Sequence, residues 1–302
     1  MNRSPTALVP LVALLSLAGC RAAASRVVAD ALSGGARSTY AEDDDPELVR
    51  AAVPFGLKTM EGLLAEHPEH LGLLTGLASG FTQYAYAFVQ QDADEAELTG
   101  KSGPARELRA RAKKLYLRAR DYGLRGLEAR HEGLAEKLRG ARDLDAAVAS
   151  LNEEDLRLVY WTAASWALAI AAGKEDMALV AEIPAPAALM QRALALDEAW
   201  DEGAIHEFFI SWEAVRGGDE ALRRAREHLD RALVLSRGRK LGAIVAYAEA
   251  VSVARQDRGE FTRLLTEVAN ADVESDRPHR LANVLARRRA RLLLAHADDL
   301  FS

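Results

Sequence analysis

A single cysteine, Cys20, occurs in 302 residues, which excludes an intramolecular disulfide and any cysteine-built metal site. Aromatic residues are scarce at 6%, and no useful stretch alternates apolar with polar side chains. A doubly wound sheet would need Val/Ile-rich runs between its helices, and there are none. Catalytic signatures are missing too: no G-x-S-x-G elbow, no P-loop, no dinucleotide glycine fingerprint and no H-E-x-x-H. No enzymatic activity, cofactor or metal is therefore expected. A net charge of −6 is mild and does not argue for a nucleic-acid partner.

What is present is a helix former's composition. Ala, Leu, Arg and Glu dominate, and these residues cost little side-chain entropy in a helix, so the expected class is all-α. The first residues differ from the rest. Arg3 precedes a short apolar run from Leu8 to Leu17, and Leu17-Ala18-Gly19-Cys20 closes it. The run is too short to span a bilayer and reads as a signal peptide. It resembles a bacterial lipoprotein signal, which implies cleavage before Cys20, lipidation of its sulfur and a membrane anchor. Arg21 after the cysteine points, by analogy with lipoprotein sorting, to the outer membrane. Residues 1–19 are thus the expected signal peptide, 20–42 the lipidated N-terminus and tether, and 43–302 one helical domain.

The body opens at Asp45-Pro46-Glu47, which combines an N-cap, a proline at the first helical position and an acid at the positive end of the helix dipole. Beyond it, apolar residues recur at three and four. Leu222, Ala225, Leu229, Ala232 and Leu233 form one face, with Arg223, Arg224, Glu227 and Asp230 turned away. Breaks are expected at Pro68, 100–104, Gly140, Gly173, 184–186, 217–218, Gly238 and Pro278, leaving pieces of helical-hairpin size.

Three pieces share a pattern. Leu63, Leu194 and Leu233 are each followed after three residues by Glu66, Asp197 and Ser236, read as helix ends. Glycines follow after nine (Gly72, Gly203, Gly242), bulky groups after fourteen (Leu77, Phe208, Tyr247) and small ones after seventeen (Gly80, Ser211, Ala250). A helix end, a tight turn and a helix with small packing residues suggest stacked helical hairpins of a cryptic tetratricopeptide-like kind. The uneven spacing leaves an irregular helical bundle as the alternative. The stretch 156–172 stands apart. Leu156, Val159, Tyr160, Ala163, Ala167 and Ile170 form one apolar stripe, and Leu158, Trp161, Ser165, Leu168 and Ala172 a second, so it is expected at the centre or along an apolar cavity.

Candidate functional residues are few. Tyr160, Trp161, Trp166, Trp200, Phe208, Phe209 and Trp212 crowd the middle of the chain; they are either core anchors or the lining of a groove or pore for a hydrophobic solute. His67 and His70 flank a proline at a helix break and are read as solvated, and His206-Glu207 lacks a second histidine one turn on. Arg287 to Arg291 reads as the wet face of the last helix.

Asp43-Asp44-Asp45-Pro46-Glu47-Leu48-Val49, Pro54-Phe55-Gly56-Leu57-Lys58, Gly80-Phe81-Thr82-Gln83-Tyr84-Ala85, Arg280-Leu281-Ala282-Asn283 and Asp299-Leu300-Phe301 together resemble the T-component family of TRAP transporters, lipoproteins with cryptic tetratricopeptide-like repeats. The resemblance runs from about Asp43 to Phe301. It implies a periplasmic homotrimer that docks a TRAP-type solute-binding protein, with an apolar passage in each protomer for hydrophobic ligands. A general cell-envelope scaffold unrelated to transport is the competing reading of the residues.

Overall fold

The computed structural model describes residues 39–301, and these contain helices and no strand. The expected signal peptide, Cys20 and most of the tether lie outside the described residues.

Helix α1 (Pro46–Glu66) starts as its sequence requires: the Asp45 carboxylate accepts from the N–H groups of Glu47 and Leu48, and Pro46 occupies the first helical position. After a turn at Pro68, α2 (Leu71–Tyr84) is capped by His70, whose Nδ1 accepts from Leu73 N–H at 3.2 Å. A wide-turn π segment, Ala85–Gln90, joins it to α3 (Gln91–Leu98). The long α4 (Ser102–Arg130) comes next, then two short helices, α5 (Leu134–Arg139) and α6 (Leu144–Ala149). Helix α7 (Leu156–Ala172) leads to α8 (Met177–Val180), α9 (Pro184–Leu196), α10 (Ala204–Arg216) and α11 (Asp219–Ser236). A second π segment, Ala248–Ser252, extends α12 (Gly242–Tyr247), and α13 (Arg258–Ala269), α14 (Arg280–Ala295) and α15 (Ala297–Leu300) complete the chain. The stretch Met177–Leu196 is apolar and long enough to cross a bilayer. Its Leu179, Ala185, Leu189, Met190 and Ala193 are instead buried in the core.

The all-helical class is as expected, and so is the surface helix α11, with Ala225, Leu229 and Ala232 buried and Arg223, Glu227 and Asp230 turned outward. Of the repeat pattern, Glu66 and Ser236 do end helices, Asp197 succeeds the last residue of α9, and Gly203 and Gly242 stand at helix starts. Leu77 and Tyr247 are buried, and a Cβ on Gly80 would lie 2.6 Å from Leu57 Cδ2. Ser211 departs from the pattern: it is exposed, because α10 buries Ile205, Phe209 and Ile210 and residue 211 falls on the opposite side.

Helix α7 has the central place expected of it. It packs on α2, α4 and α9, and its first turn is fixed by Asp155, which is fully buried. Asn152 N–H donates to Asp155 Oδ2 at 3.0 Å, His131 Nε2 lies 3.0 Å from the same oxygen, and Arg130 Nε donates to Oδ1. Burial pushes this carboxyl up, and these three partners outweigh it and hold it below the usual carboxylate range. The end of α4 and the start of α7 are thereby locked together, in a place where charge pairing replaces solvation.

Contacts between successive helices close on themselves. The path runs α1, α2, α4, α7, α9, α10, α12 and α14, and α14 returns to α1. Ion pairs hold the seam: Arg288 with Glu47 at 2.9 Å, Arg289 with Asp94 at 3.3 Å and Arg280 with Asp44 at 3.8 Å. Leu98 also packs into the C-terminal core of α10 to α15. Arg289 corrects the expectation of a wet basic face. It is buried, because it turns inward to bond Glu249 and Asp94 while Arg288 and Arg291 stay exposed.

Candidate functional site

The two π segments each carry a polar side chain, and the two interact electrostatically. Such wide turns add a residue to a helical turn and re-aim the side chains beyond it, and they recur at functional sites. Tyr86 lies in the first and Glu249 in the second. The Tyr86 hydroxyl feels the charges of Glu249, of Glu207 on α10, of Arg289 on α14 and of Asp94 on α3. Charged groups from four other elements therefore act on Tyr86.

The Tyr86 side chain is 47% exposed, yet desolvation, then the charges of Glu249 and Glu207, pushes its hydroxyl well above the usual phenol range. Glu207 is the same kind of group. It is half-buried, and desolvation raises its carboxyl despite Lys240 nearby. Asp94 is pushed up to about 6, first by desolvation and then by Glu249, against the pull of Arg289. Beneath this surface, Tyr116 is buried and donates through its hydroxyl to Gln90 Oε1 at 2.6 Å.

The seven aromatic candidates divide into two groups and one isolated residue. Tyr160 meets Trp161 edge-on at 5.0 Å between centroids and Trp200 at 4.5 Å. Phe208 stacks on Trp212 at 5.5 Å and meets Phe209 edge-on. Trp166 stands apart and is fully buried, its Nε1 donating to Glu182 Oε2 at 2.7 Å with the Arg120 guanidinium over its ring. Trp166 and Phe209 offer no surface to a solute in this structure, whereas Tyr160, Trp161, Trp200, Phe208 and Trp212 are half-buried. Trp200 also borders an open cleft of about 420 Å³ between Leu156 and Leu196, rimmed by Glu153, Glu154 and Asp197.

Sequence reading passed over Tyr86, Glu249 and Asp94, and weighed Glu207 only as half of a His206-Glu207 metal candidate. Nothing local marks the first three. It also missed the second histidine for His206, which comes from α11 and not from the same helix: His206 Nδ1 and His228 Nδ1 are 2.9 Å apart. One ring donates and the other accepts, so at least one must be neutral. Among the described residues no cluster of three or more metal-ligating side chains occurs. Glu198, held by Arg231, lies 3.3 Å from His206 Nε2, and Phe209 stacks on His228.

Desolvation and the His206 charge lower the His228 pKa from 6.5 to about 4. A base with a depressed folded pKa contributes stability that is fully present above the unfolded value and lost as pH falls toward the folded one. Stability should therefore drop by about 1–3 kcal/mol between pH 6.5 and 4 on account of this pair. His228→Gln should flatten that part of a urea-denaturation pH profile. An unchanged slope in the variant would assign the loss to other groups.

Comparison with known proteins places these features in a lineage. A family model described as TRAP transporter T-component matches residues 42–301. A protein of Treponema pallidum (strain Nichols), described as an uncharacterized protein, is 29% identical over 272 residues, spanning 87% of this chain and 82% of its own length.

Proposed function

The chain belongs to the TRAP transporter T-component family, and from that membership we propose a lipid-anchored accessory that docks a TRAP-type solute-binding protein and passes a hydrophobic solute through its ring of helices. An association with a TRAP transport system comes from the family itself. Docking, solute and anchor are the further steps.

The reading is supported by the family match over residues 42–301 and by a circuit of helix contacts that closes on itself. Half-buried Tyr160, Phe208 and Trp212 supply apolar wall of the sort that takes a solute's hydrocarbon. Self-association into the expected trimer has a surface available: Leu48 and Phe55, two turns apart on α1, are both exposed. The anchor is Cys20, facing the periplasm, with the outer membrane the expected site.

The test couples capture with labelling. The tagged full chain, expressed in a two-membrane bacterium, should incorporate labelled fatty acid and retain a solute-binding protein encoded beside it. Cys20→Ser should abolish the label and leave capture by the soluble body intact. Lipid on the Ser variant would refute the anchor. Failure to retain any such solute-binding protein would leave the chain an envelope scaffold.

A further inference from the structure

Helix α8 and the residues after it leave hydrocarbon in the open. Met177 is 72% exposed and Ile183 40%, and Ala178, Ala181 and Pro184 are exposed with them. Leu179 pins the segment to the core. Between Met177 and Gln191 the one charged residue is Glu182, and its carboxylate is turned onto Trp166 Nε1 and Arg120 Nη1. The outer side of the segment is therefore uncharged, and exposed apolar surface of that kind marks a place of contact.

The segment is fastened to a helix whose outer side is basic. Lys113 on α4 donates to Asp176 Oδ2 at 3.1 Å and lies 3.8 Å from Glu175 Oε1. A Cβ on Gly173 would fall 2.6 Å from Lys113 Cε, so the two elements touch. From Ser102 to Arg120 the only acid of α4 is Glu107. Arg109, Lys113, Arg118 and Arg120 are paired. Arg106, Arg111 and Lys114 are exposed and have no hydrogen-bond or ion-pair partner among the described residues, and Lys174, just before α8, is like them. Arg106, Ala110 and Lys114 recur every four residues and so share a ridge about 12 Å long, which ends beside the lysine that grips α8.

Unpaired cations beside uncovered hydrocarbon, in a chain whose net charge is −6, call for a partner that is anionic and apolar at once. A lipid surface is both: its headgroup phosphates meet the long basic side chains while Met177 and Ile183 enter the acyl boundary. We propose that the outer side of α8 and the adjoining ridge of α4 form a membrane-contact surface that seats the helical body on an anionic bilayer. This contact needs no acyl group and is independent of the transport reading above.

The test uses the chain from residue 20 onward with Cys20→Ser, so that no acyl group is present. It is sedimented with vesicles of equal parts phosphatidylglycerol and phosphatidylethanolamine, and with vesicles of phosphatidylcholine alone. The protein should bind the anionic vesicles preferentially, and added salt should weaken the binding. Replacing Arg106, Lys114 and Lys174 together by Gln should lower that affinity by about fivefold for each cation removed. Met177→Ser with Ile183→Ser should lower it about tenfold or more through lost apolar insertion. Both variants should melt with the parent, since the altered side chains are exposed. A control with the same charge change elsewhere, Arg237, Arg255 and Arg263 to Gln, should bind as the parent does. If the control loses as much as the ridge variant, or if the Ser pair leaves binding unchanged, this surface is refuted as the contact. If the parent stays in solution with both vesicles, the membrane is refuted as the partner and the patch is left to an acidic protein.

Discussion

Replacing Trp166 by Ala is expected to cost about 3–5 kcal/mol of folding free energy, the range for deleting a fully enclosed large aromatic. The side chain has no exposed surface, so the transfer term is complete, and α7 is held by α2, α4 and α9, so the cavity cannot readily collapse. The polar edge adds to the loss. Trp166 Nε1 donates to Glu182 Oε2, which also receives Arg120 Nη1 at 3.1 Å. Removing the indole leaves that carboxylate one donor short and uncovers the Arg120 stack. Trp212 is the informative comparison. It is half-buried and stacked on Phe208, and its truncation should be much milder, because a wall open on one side has already lost part of its packing. Urea denaturation of both variants decides the matter. Equal losses would mean that Trp212 is core as well and lines no open surface.

Gly203→Leu should be the most damaging change at a turn. Gly203 has φ of +90°, where any side chain is strained, and a Cβ there would lie 3.2 Å from Ala232 Cα and 3.3 Å from Leu235 Cβ on α11. Left-handed strain contributes about 1–2 kcal/mol and overpacking a further ~1–3 kcal/mol, a loss of roughly 2–5 kcal/mol in sum. Gly238 is the control: its φ is +70° but nothing lies within 4 Å of a Cβ, so Gly238→Leu carries strain alone. If the two variants lose the same stability, α10 does not approach α11 through this glycine.

The turn before Gly203 shows where sequence reading stops. The helix end at Leu196 and the glycine at 203 were legible, but the left-handed conformations of Asp201 and Glu202 were not. Their side chains meet partners far along the chain, Lys240 on Asp201 and Arg239 on Glu202. The same reason explains Arg289 and His228. A basic run beside leucines reads as a solvated face unless one knows that Glu249 and Asp94 stand opposite, and His206 looks solitary until α11 folds back. The Asp45 cap and the faces of α11 were readable because their determinants lie within one or two turns. The π segments were not: an added residue per turn leaves no composition cue, and Ala85–Gln90 reads like any helix. The charges that act on Tyr86 come from the second π segment and from helices far apart in the chain, so no local window contains them.

The seam between α14 and α1 fixes the size of the assembly. An open stack of hairpins can gain or lose a unit at either end, since each unit answers only to its neighbours. Here the last helix must reach the first, so one more hairpin would push Arg288 away from Glu47 and Arg289 away from Asp94, and one fewer would leave α1 short of its partner. The number of units is therefore set by closure, as the number of staves sets a barrel.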